Sequence, residues 1–236
     1  MWTKTKQLYE GKAKKIWAVE GSDDLVIQEF KNDATAFNGE KRGSWGNKGT
    51  VNNTIASTLF KYLEANGVHT HFIEQLSENE MLIKKLTIVP LEVIVRNRSA
   101  GSFCKRYGAA EGIVFGNPTF EFSYKRDDLG DPLINDSHAI ALSLATEAEI
   151  AHIRTSALQV NKLLQSFFLD KGIILVDFKL EYGKHHGEIL LGDEISPDTC
   201  RYWDAKTGEK LDKDRFRFDL GNVEGAYATM LEKVTG

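Results

Sequence analysis

The sequence is poor in the residues that build disulfide-rich, zinc-binding or linker-rich proteins. Only two cysteines occur, Cys104 and Cys200, and neither has a second cysteine or a histidine at the spacing of a zinc site. We therefore expect no disulfide framework and no structural zinc, which fits a reducing compartment. Since there are only four prolines and no repeat or low-complexity stretch, a flexible linker is not expected either.

Long apolar runs and a strong charge of one sign are also missing. No run approaches the roughly 18 apolar residues of a membrane span, and the first residues, MWTKTKQLYEGKAKKIW, lack the apolar core of a signal peptide. The formal net charge of −4 does not point to nucleic acid or an anionic membrane as partner. The 236 residues, 42% of them hydrophobic, suffice for one large domain or two small lobes in a cytoplasmic protein.

The first 98 residues show strand patterns interrupted by one helical pattern. Alternation over 7–31 predicts a hairpin of two strands with its turn at 21–24. A charged, glycine-punctuated loop is predicted at 35–49 and a helix over 51–65. The segments MLIKKL and PLEVIVRNR are predicted strands, joined by a turn at 89–90.

The second half mixes helices and strands in the same irregular way. A helix is predicted over 146–171, where Thr146 and Glu149 form a capping box. The segments GIILVDFKLEYG and EILLGDEIS are predicted strands around a turn at 183–187, and a last helix covers 223–234. Because the elements lack a regular strand–helix alternation, we predict an α+β fold.

The segment GIILVDFKLEYG carries the strongest chemical signal. As a strand it has one apolar face, while Asp177, Lys179 and Glu181 occupy successive positions on the other face. An amphipathic edge strand would show the same pattern. The next predicted strand, however, brings Asp193 back toward this row. Carboxylates that converge beside a lysine suit Mg²⁺ and a nucleoside triphosphate, because crowded like charges are costly unless a cation neutralises them.

Two other segments combine small residues with basic ones. In LYEGKAKKIW, Gly11 permits close backbone approach, and Lys12 and Lys14 project from one face. This arrangement suits phosphates without the spacing of a P-loop, although a solvated lysine face is the alternative. In VIVRNRSAGSFC, Arg96 precedes Ser102 at a predicted helix start, which suits a phosphate monoester or simply a capped helix. The residues alone therefore predict Mg-nucleotide chemistry on an anionic substrate.

Seven segments between about residues 8 and 217 resemble, in the same order, those of the phosphoribosylaminoimidazole-succinocarboxamide (SAICAR) synthetases. They are LYEGKAKKIW, FKNDATAFNG, KGTVNN, PLEVIVRNRSAGS, LVDFKLEYG, GDEISPDTCRYWD and DKDRFR. The resemblance implies a two-lobed α+β fold. The antiparallel nucleotide lobe, related to ATP-grasp and kinase lobes, would cover 1–88, and a larger α+β lobe would cover 89–236.

The resemblance also implies an activity and its partners. It implies a cytoplasmic homodimer, an ATP-dependent ligase of purine biosynthesis that requires Mg²⁺. The substrates would be ATP, L-aspartate and 5-amino-1-(5-phosphoribosyl)imidazole-4-carboxylate, the carboxyaminoimidazole ribotide, which would react through an acyl phosphate. No nucleic acid or membrane partner is expected. A small-molecule kinase, which would release ADP without aspartate, and a non-catalytic nucleotide-binding module are the alternative functions.

Individual residues receive roles from the resemblance. The adenine would meet the backbone of Lys84 and Leu86, and the 35–49 loop would close over substrate. Mg²⁺ would be held by Glu181 and Asp193. The other ATP contacts would be Gly11, Lys12, Ala13, Lys14 and Lys125. The ribotide contacts would be Arg96, Ser102, Asp177, Lys179 and Arg201. The catalytic residues would be Asp177, Lys179 and Glu181. The mobile loop would have Asp33, Asn38 and Lys48 near its ends.

Overall fold

Two antiparallel β-sheets carry the fold in the computed structural model, which describes residues 2–36 and 39–236. The first has the spatial order β1-β2-β3-β7-β6 and consists of β1 (Lys4–Glu10), β2 (Lys14–Val19), β3 (Ser22–Phe30), β6 (Phe72–Gln75) and β7 (Glu80–Lys84). Two short strands, β4 (Asp33–Ala36) and β5 (Lys41–Ser44), pair only with each other.

The second sheet has the spatial order β10-β9-β8-β11-β12, with β13 also paired to β11. Its strands are β8 (Thr87–Arg98), β9 (Val114–Tyr124), β10 (Leu133–Ile134), β11 (Ile173–His185), β12 (Glu188–Gly192) and β13 (Cys200–Asp204). Since β11 lies between β8 on one side and β12 and β13 on the other, it is a central strand. The edge-strand alternative for this segment is therefore wrong.

Six α-helices accompany these sheets in the described part of the chain. They are α1 (Lys48–Ala65), α2 (Ser102–Tyr107), α3 (Asp136–Ala141), α4 (Glu147–Leu169), α5 (Asp214–Arg217) and α6 (Val223–Thr235). The predicted capping box opens α4: the hydroxyl of Thr146 accepts from the N–H of Glu149 at 3.3 Å, and the N–H of Thr146 donates to Oε2 of Glu149 at 2.9 Å. The α+β prediction is confirmed, and no described helix is long and apolar enough to cross a membrane.

One hydrophobic core joins the two sheets. It includes Met81 of the first sheet, Val93 of the second, Leu59 of α1 and Val160 of α4, all with no exposed surface. The predicted lobe boundary between residues 88 and 89 falls inside β8. A division of the chain there remains a prediction.

Several predicted elements differ from the structure; the strand predicted over EILLGDEIS, for example, ends at Gly192. Residues 7–31 form three strands rather than two, because the N–H of Gly11 donates to the carbonyl of Lys14 at 2.8 Å and closes an additional turn. The loop predicted at 35–49 overlaps the β4–β5 hairpin, which begins at Asp33, and includes the first residues of α1, while Phe37 and Asn38 lie outside the described residues.

The turn predicted at 89–90 is also wrong. Strand β7 ends at Lys84 and β8 begins at Thr87, so Pro90 lies within a strand. The register between β8 and β11 shifts around this proline, between the pairs Ile88–Gly183 and Glu92–Glu181. A proline has no N–H for a regular ladder, and such an irregularity accommodates it.

Candidate active site

Strand pairing places Asp177 between two arginines. It is the register partner of Arg96 on β8 and of Arg201 on β13. Its Oδ2 accepts from Nη1 of Arg96 at 2.7 Å and from Nη1 of Arg201 at 2.9 Å. The sheet thus brings Arg96 and Arg201, which are 105 positions apart in the sequence, to the same buried carboxylate.

Only 2% of the surface of Arg96 is exposed, and each of its three guanidinium nitrogens donates a hydrogen bond. Its Nε donates to Oε1 of Glu121 at 2.8 Å, and its Nη2 donates to the hydroxyl of Ser102 at 3.1 Å. Ser102 is the first residue of α2, so this contact ties the guanidinium to a helix start. Planar guanidinium groups fixed in this way suit recognition of a phosphate.

Arg201 binds a second carboxylate besides that of Asp177. Its Nε donates to Oδ2 of Asp214 at 2.8 Å, in addition to the contact with Asp177. Burial acts to lower the pKa of Arg201, but the carboxylates of Asp177 and Asp214 outweigh it and raise that pKa. The guanidinium therefore stays charged.

All five residues predicted to bind the ribotide line one cavity of about 170 Å³. They are Arg96, Ser102, Asp177, Lys179 and Arg201. The cavity is thus rich in cationic donors and also contains the buried carboxylates of Asp177 and Asp198, which suits an anionic ligand that also carries hydroxyl groups.

Lys179 connects this cavity to a pair of glutamates. Glu92 and Glu181 are register partners on β8 and β11, and Nζ of Lys179 lies 2.9 Å from Oε1 of each. Nζ of Lys125 lies 2.5 Å from Oε2 of Glu181. Burial acts to lower the pKa of Lys179, but Glu181, Asp193 and Glu92 raise it well above its usual value. Two lysines therefore neutralise carboxylates that would otherwise repel each other.

Asp193 completes this group from the end of β12. It follows Gly192, the register partner of Glu181, and its backbone is left-handed with φ 61°. Its carboxylate forms an ion pair with Lys14, which also lies 3.1 Å from Oε1 of Glu194. Burial acts to raise the pKa of Asp193, but Lys14, Lys179 and Lys125 outweigh it and lower that pKa to about 2. Asp193 is ionised at any physiological pH.

The chemistry of Glu181 and Asp193 fits Mg²⁺ bound together with a nucleotide. Among residues 2–36 and 39–236, no three His, Cys, Asp or Glu side chains are grouped so as to hold a metal ion. Mg²⁺ commonly takes only one or two protein carboxylates and fills its other positions with water and substrate phosphates. The two carboxylates of Glu181 and Asp193 meet that requirement, and three lysines lie nearby.

The other predicted ATP contacts surround this group at different distances. Lys12 points outward and pairs with Asp127 at 3.1 Å, with 48% of its side chain exposed. The carbonyl of Ala13 accepts from the N–H of Lys31 at 2.8 Å. Gly11 closes the β1–β2 turn. Of the predicted phosphate contacts, Lys14 and Lys125 therefore lie at the carboxylates, and Lys12 does not.

The predicted adenine segment lies beside β11 and β12, the strands that carry Glu181 and precede Asp193. The N–H of Lys84 donates to the carbonyl of His71 at 2.7 Å. The side chain of Leu86 fills the space over Gly183 and Gly192, where a Cβ would lie 2.7 and 2.8 Å from its atoms. Glycine at both positions leaves the space into which Leu86 packs beside β11 and β12. Adenine contacts by Lys84 and Leu86 remain predictions.

A second charged cluster, which we call the Asp198 cluster, consists of Lys48, Asp198, Lys213 and Tyr227. Nζ of Lys48 lies 2.6 Å from Oδ2 of Asp198, the hydroxyl of Tyr227 donates to Oδ1 at 2.6 Å, and Lys213 lies 3.5 Å away. Burial lowers the pKa of Lys213 despite the opposing effect of Asp198. Two lysines share one carboxylate here, so the cluster carries a net positive charge beside the cavity that Asp198 lines.

Comparison with known proteins shows the family to which the chain belongs. The model of the SAICAR synthetase family matches residues 7–234. The chain belongs to the SAICAR synthetase family. A phosphoribosylaminoimidazole-succinocarboxamide synthase from Pelodictyon phaeoclathratiforme is 58% identical over 231 residues, which are 98% of this chain and 98% of that protein.

Solved structures of the family have the same fold. The phosphoribosylaminoimidazole-succinocarboxamide synthase from Ehrlichia chaffeensis superposes with a TM-score of 0.95 at 45% identity, covering 98% of both chains. A SAICAR synthetase in complex with ADP superposes with a TM-score of 0.93 at 50% identity, covering 97% of both chains.

Several charged residues around the cavity were not predicted. Glu92 shares a strand face with Arg96, four positions later, and this spacing was the available signal. Asp198 and Asp214 stand inside the family segments GDEISPDTCRYWD and DKDRFR, but the sequence does not indicate what they touch. Glu121 has only an apolar strand pattern around it, and its contact with Arg96 depends on the pairing of β8 with β9.

Proposed function

We propose that the chain is an ATP-dependent ligase that joins L-aspartate to 5-amino-1-(5-phosphoribosyl)imidazole-4-carboxylate and forms the succinocarboxamide ribotide, ADP and phosphate. The observation that carries this proposal is the single cavity lined by all five predicted ribotide contacts, from which Lys179 reaches Glu181. Family membership supports it, as does the ADP complex of a relative that is 50% identical.

The proposed reaction has two steps because a carboxylate is a poor electrophile. First, a carboxylate oxygen of the ribotide bonds to the γ-phosphorus while the bond from that phosphorus to ADP breaks, which gives an acyl phosphate. Then the amine of aspartate bonds to the carbonyl carbon, phosphate leaves with the former carboxylate oxygen, and the nitrogen loses a proton. No protein nucleophile is required, so most of the catalysis lies in positioning three reactants.

The residues of the chain would share this work. Arg96, Ser102 and Arg201 would bind the ribotide phosphate, while Asp177 and Lys179 would meet its ribose or carboxylate. Glu181 and Asp193 would hold Mg²⁺, which supplies charge compensation for the phosphates of ATP. Lys14 and Lys125 form ion pairs with these carboxylates, and they would contact phosphate oxygens of the nucleotide.

The Asp198 cluster is our proposed binding site for aspartate. Its net positive charge suits a dicarboxylate, and Asp198 itself can accept from the ammonium group. The cluster borders the ribotide cavity through Asp198, so an amino acid bound there would lie beside the carboxylate to be activated. We further propose a cytoplasmic homodimer, as the resemblance to the family implies; sedimentation as a monomer would contradict the dimer.

An omission assay tests the proposed function. The purified protein is supplied with the ribotide, ATP, Mg²⁺ and aspartate, and each component is left out in turn while ADP and the succinocarboxamide are measured. We expect both products only in the complete mixture. Release of ADP with a stable phosphorylated product in the absence of aspartate would favour the kinase alternative, and failure to consume aspartate would refute the ligase.

A further inference from the structure

Two buried aspartates lie behind Arg201, and neither has any exposed surface. Asp214 accepts from Nε of Arg201 at 2.8 Å and from Nη1 of Arg217 at 2.7 Å. Asp212 accepts from backbone groups instead: the N–H of Tyr202 at 2.8 Å and the N–H of Asp214 at 2.7 Å. The two carboxylates are thus neighbours, but the arginines bind only one of them directly.

The two N–H groups that donate to Asp212 belong to residues in contact with Arg201 or adjacent to it in the chain. Tyr202 follows Arg201 in β13, and Asp214 binds its guanidinium. Asp212 does not line the cavity itself. Its effect on a ligand would therefore pass through Arg201, whose backbone and side-chain partner it fixes at the same time.

The charges around Asp212 place it close to a protonation change. Burial and the carboxylate of Asp214 raise the pKa of Asp212 to about 7, against its two backbone hydrogen bonds and the charge of Arg201. Tyr202 and Tyr227 also face Asp212, and burial raises the pKa of each tyrosine well above its usual value. Both tyrosines are therefore neutral near pH 7, and the pKa of Asp214 is lowered, so of these four groups only Asp212 has a pKa in that range.

We propose that Asp212 is a positioning residue for Arg201 and that its protonated fraction rises, by uptake of protons from solvent, when a phosphate binds between Arg96 and Arg201. This rests on the proposed function, which assigns that position to the ribotide phosphate. Asp177, Asp212 and Asp214 already surround Arg201, and an added dianion makes a third ionised aspartate more costly. A protonated Asp212 keeps a lone pair on each oxygen, so both backbone hydrogen bonds can persist.

Calorimetry with a proton count tests this inference. The succinocarboxamide ribotide is titrated into the wild-type protein, Asp212→Asn and Asp219→Asn at pH 7.5, in buffers with different ionisation enthalpies. Asp219 is the matched control, because its side chain is 85% exposed and lies close behind α5. If binding raises the pKa of Asp212 by about one unit, the wild type takes up roughly half a proton more than Asp212→Asn. Asp219→Asn should match the wild type.

At pH 5 the wild type and Asp212→Asn should take up the same number of protons, because Asp212 is then protonated before the ribotide binds. Equal proton uptake by the wild type and Asp212→Asn at pH 7.5 would overturn the inference and leave the proposed function intact. Absence of ribotide binding to the wild type would overturn both. If Asp212→Asn does not fold, the carboxyl ¹³C resonances of the wild type provide the test. We expect one aspartate carboxyl to titrate near pH 7 and its pKa to rise when the ribotide is bound. The inference is refuted if no aspartate behaves in this way.

Discussion

Nζ of Lys179 lies 2.9 Å from Oε1 of Glu181, the next residue on the same face of β11. The same nitrogen lies 2.9 Å from Oε1 of Glu92, the register partner of Glu181. Because Lys179 also lines the cavity, one ammonium group joins the proposed ribotide site to the proposed metal site. Substitution of Lys179 should therefore affect the binding of the ribotide and of ATP unequally.

Replacement of Lys179 by alanine should weaken ribotide binding more than ATP binding. The variant removes a charged donor from the cavity, a loss of about 1.5–3 kcal/mol, or roughly 10–100-fold in affinity. Calorimetry with each ligand measures the effect. Lys184→Ala is the control, since Lys184 lies on the same strand but pairs with Glu149. An equal loss for both ligands would remove Lys179 from the ribotide site.

The variants Glu181→Gln and Asp193→Asn should lose most of their turnover while the fold persists. Each keeps the side-chain shape but removes a charge that we assign to Mg²⁺, and we expect a decrease in kcat of about a hundredfold or more. Steady-state rates over a range of Mg²⁺ concentrations test this, with circular dichroism to monitor folding. Glu188→Gln on the exposed end of β12 should be unaffected. Near-wild-type turnover at saturating Mg²⁺ would contradict the assignment.

Replacement of Lys213 by methionine should raise the KM for aspartate about tenfold or more and leave the KM for ATP nearly unchanged. The variant removes the net positive charge of the Asp198 cluster while it keeps most of the buried side-chain volume. Initial rates with aspartate varied at saturating ATP and ribotide measure it. Lys210→Met is the control, because Lys210 pairs with the exposed Glu111. An unchanged KM for aspartate would exclude the proposed site.

The sequence predicted the elements whose signals are local. The helix α4 follows from its capping box and apolar spacing, and the row Asp177, Lys179 and Glu181 follows from strand alternation. The hairpin turn then brings Asp193 to this row, as its sequence distance suggested. These features depend on residues close together in the chain, so pattern and turn chemistry are sufficient to place them.

Features that depend on register or on distant contacts could not be predicted. The irregularity at Pro90 moves a predicted turn into the interior of a strand, and it also sets which residue of β8 faces Glu181. The pairing of Lys48 with Asp198 joins residues 150 positions apart. No local pattern distinguishes a lysine that will be fully buried from one at the surface, because its burial is decided by the groups that surround it in the fold.

His71 should make the protein more sensitive to acid than its surface histidines do. Burial, followed by the charges of Lys14 and Lys84, lowers its pKa from 6.5 to about 3. As the pH falls below 6.5 the unfolded chain binds a proton at this residue and the folded chain does not, so stability is lost through this window. Between pH 7 and 5 this loss amounts to about 2 kcal/mol.

Urea unfolding at several pH values tests this prediction. The free energy of unfolding of His71→Leu should decrease less between pH 7 and 5 than that of the wild type, whereas His152→Gln, on the exposed face of α4, should behave like the wild type. The same pH dependence in His71→Leu and the wild type would refute the assignment of this acid sensitivity to His71.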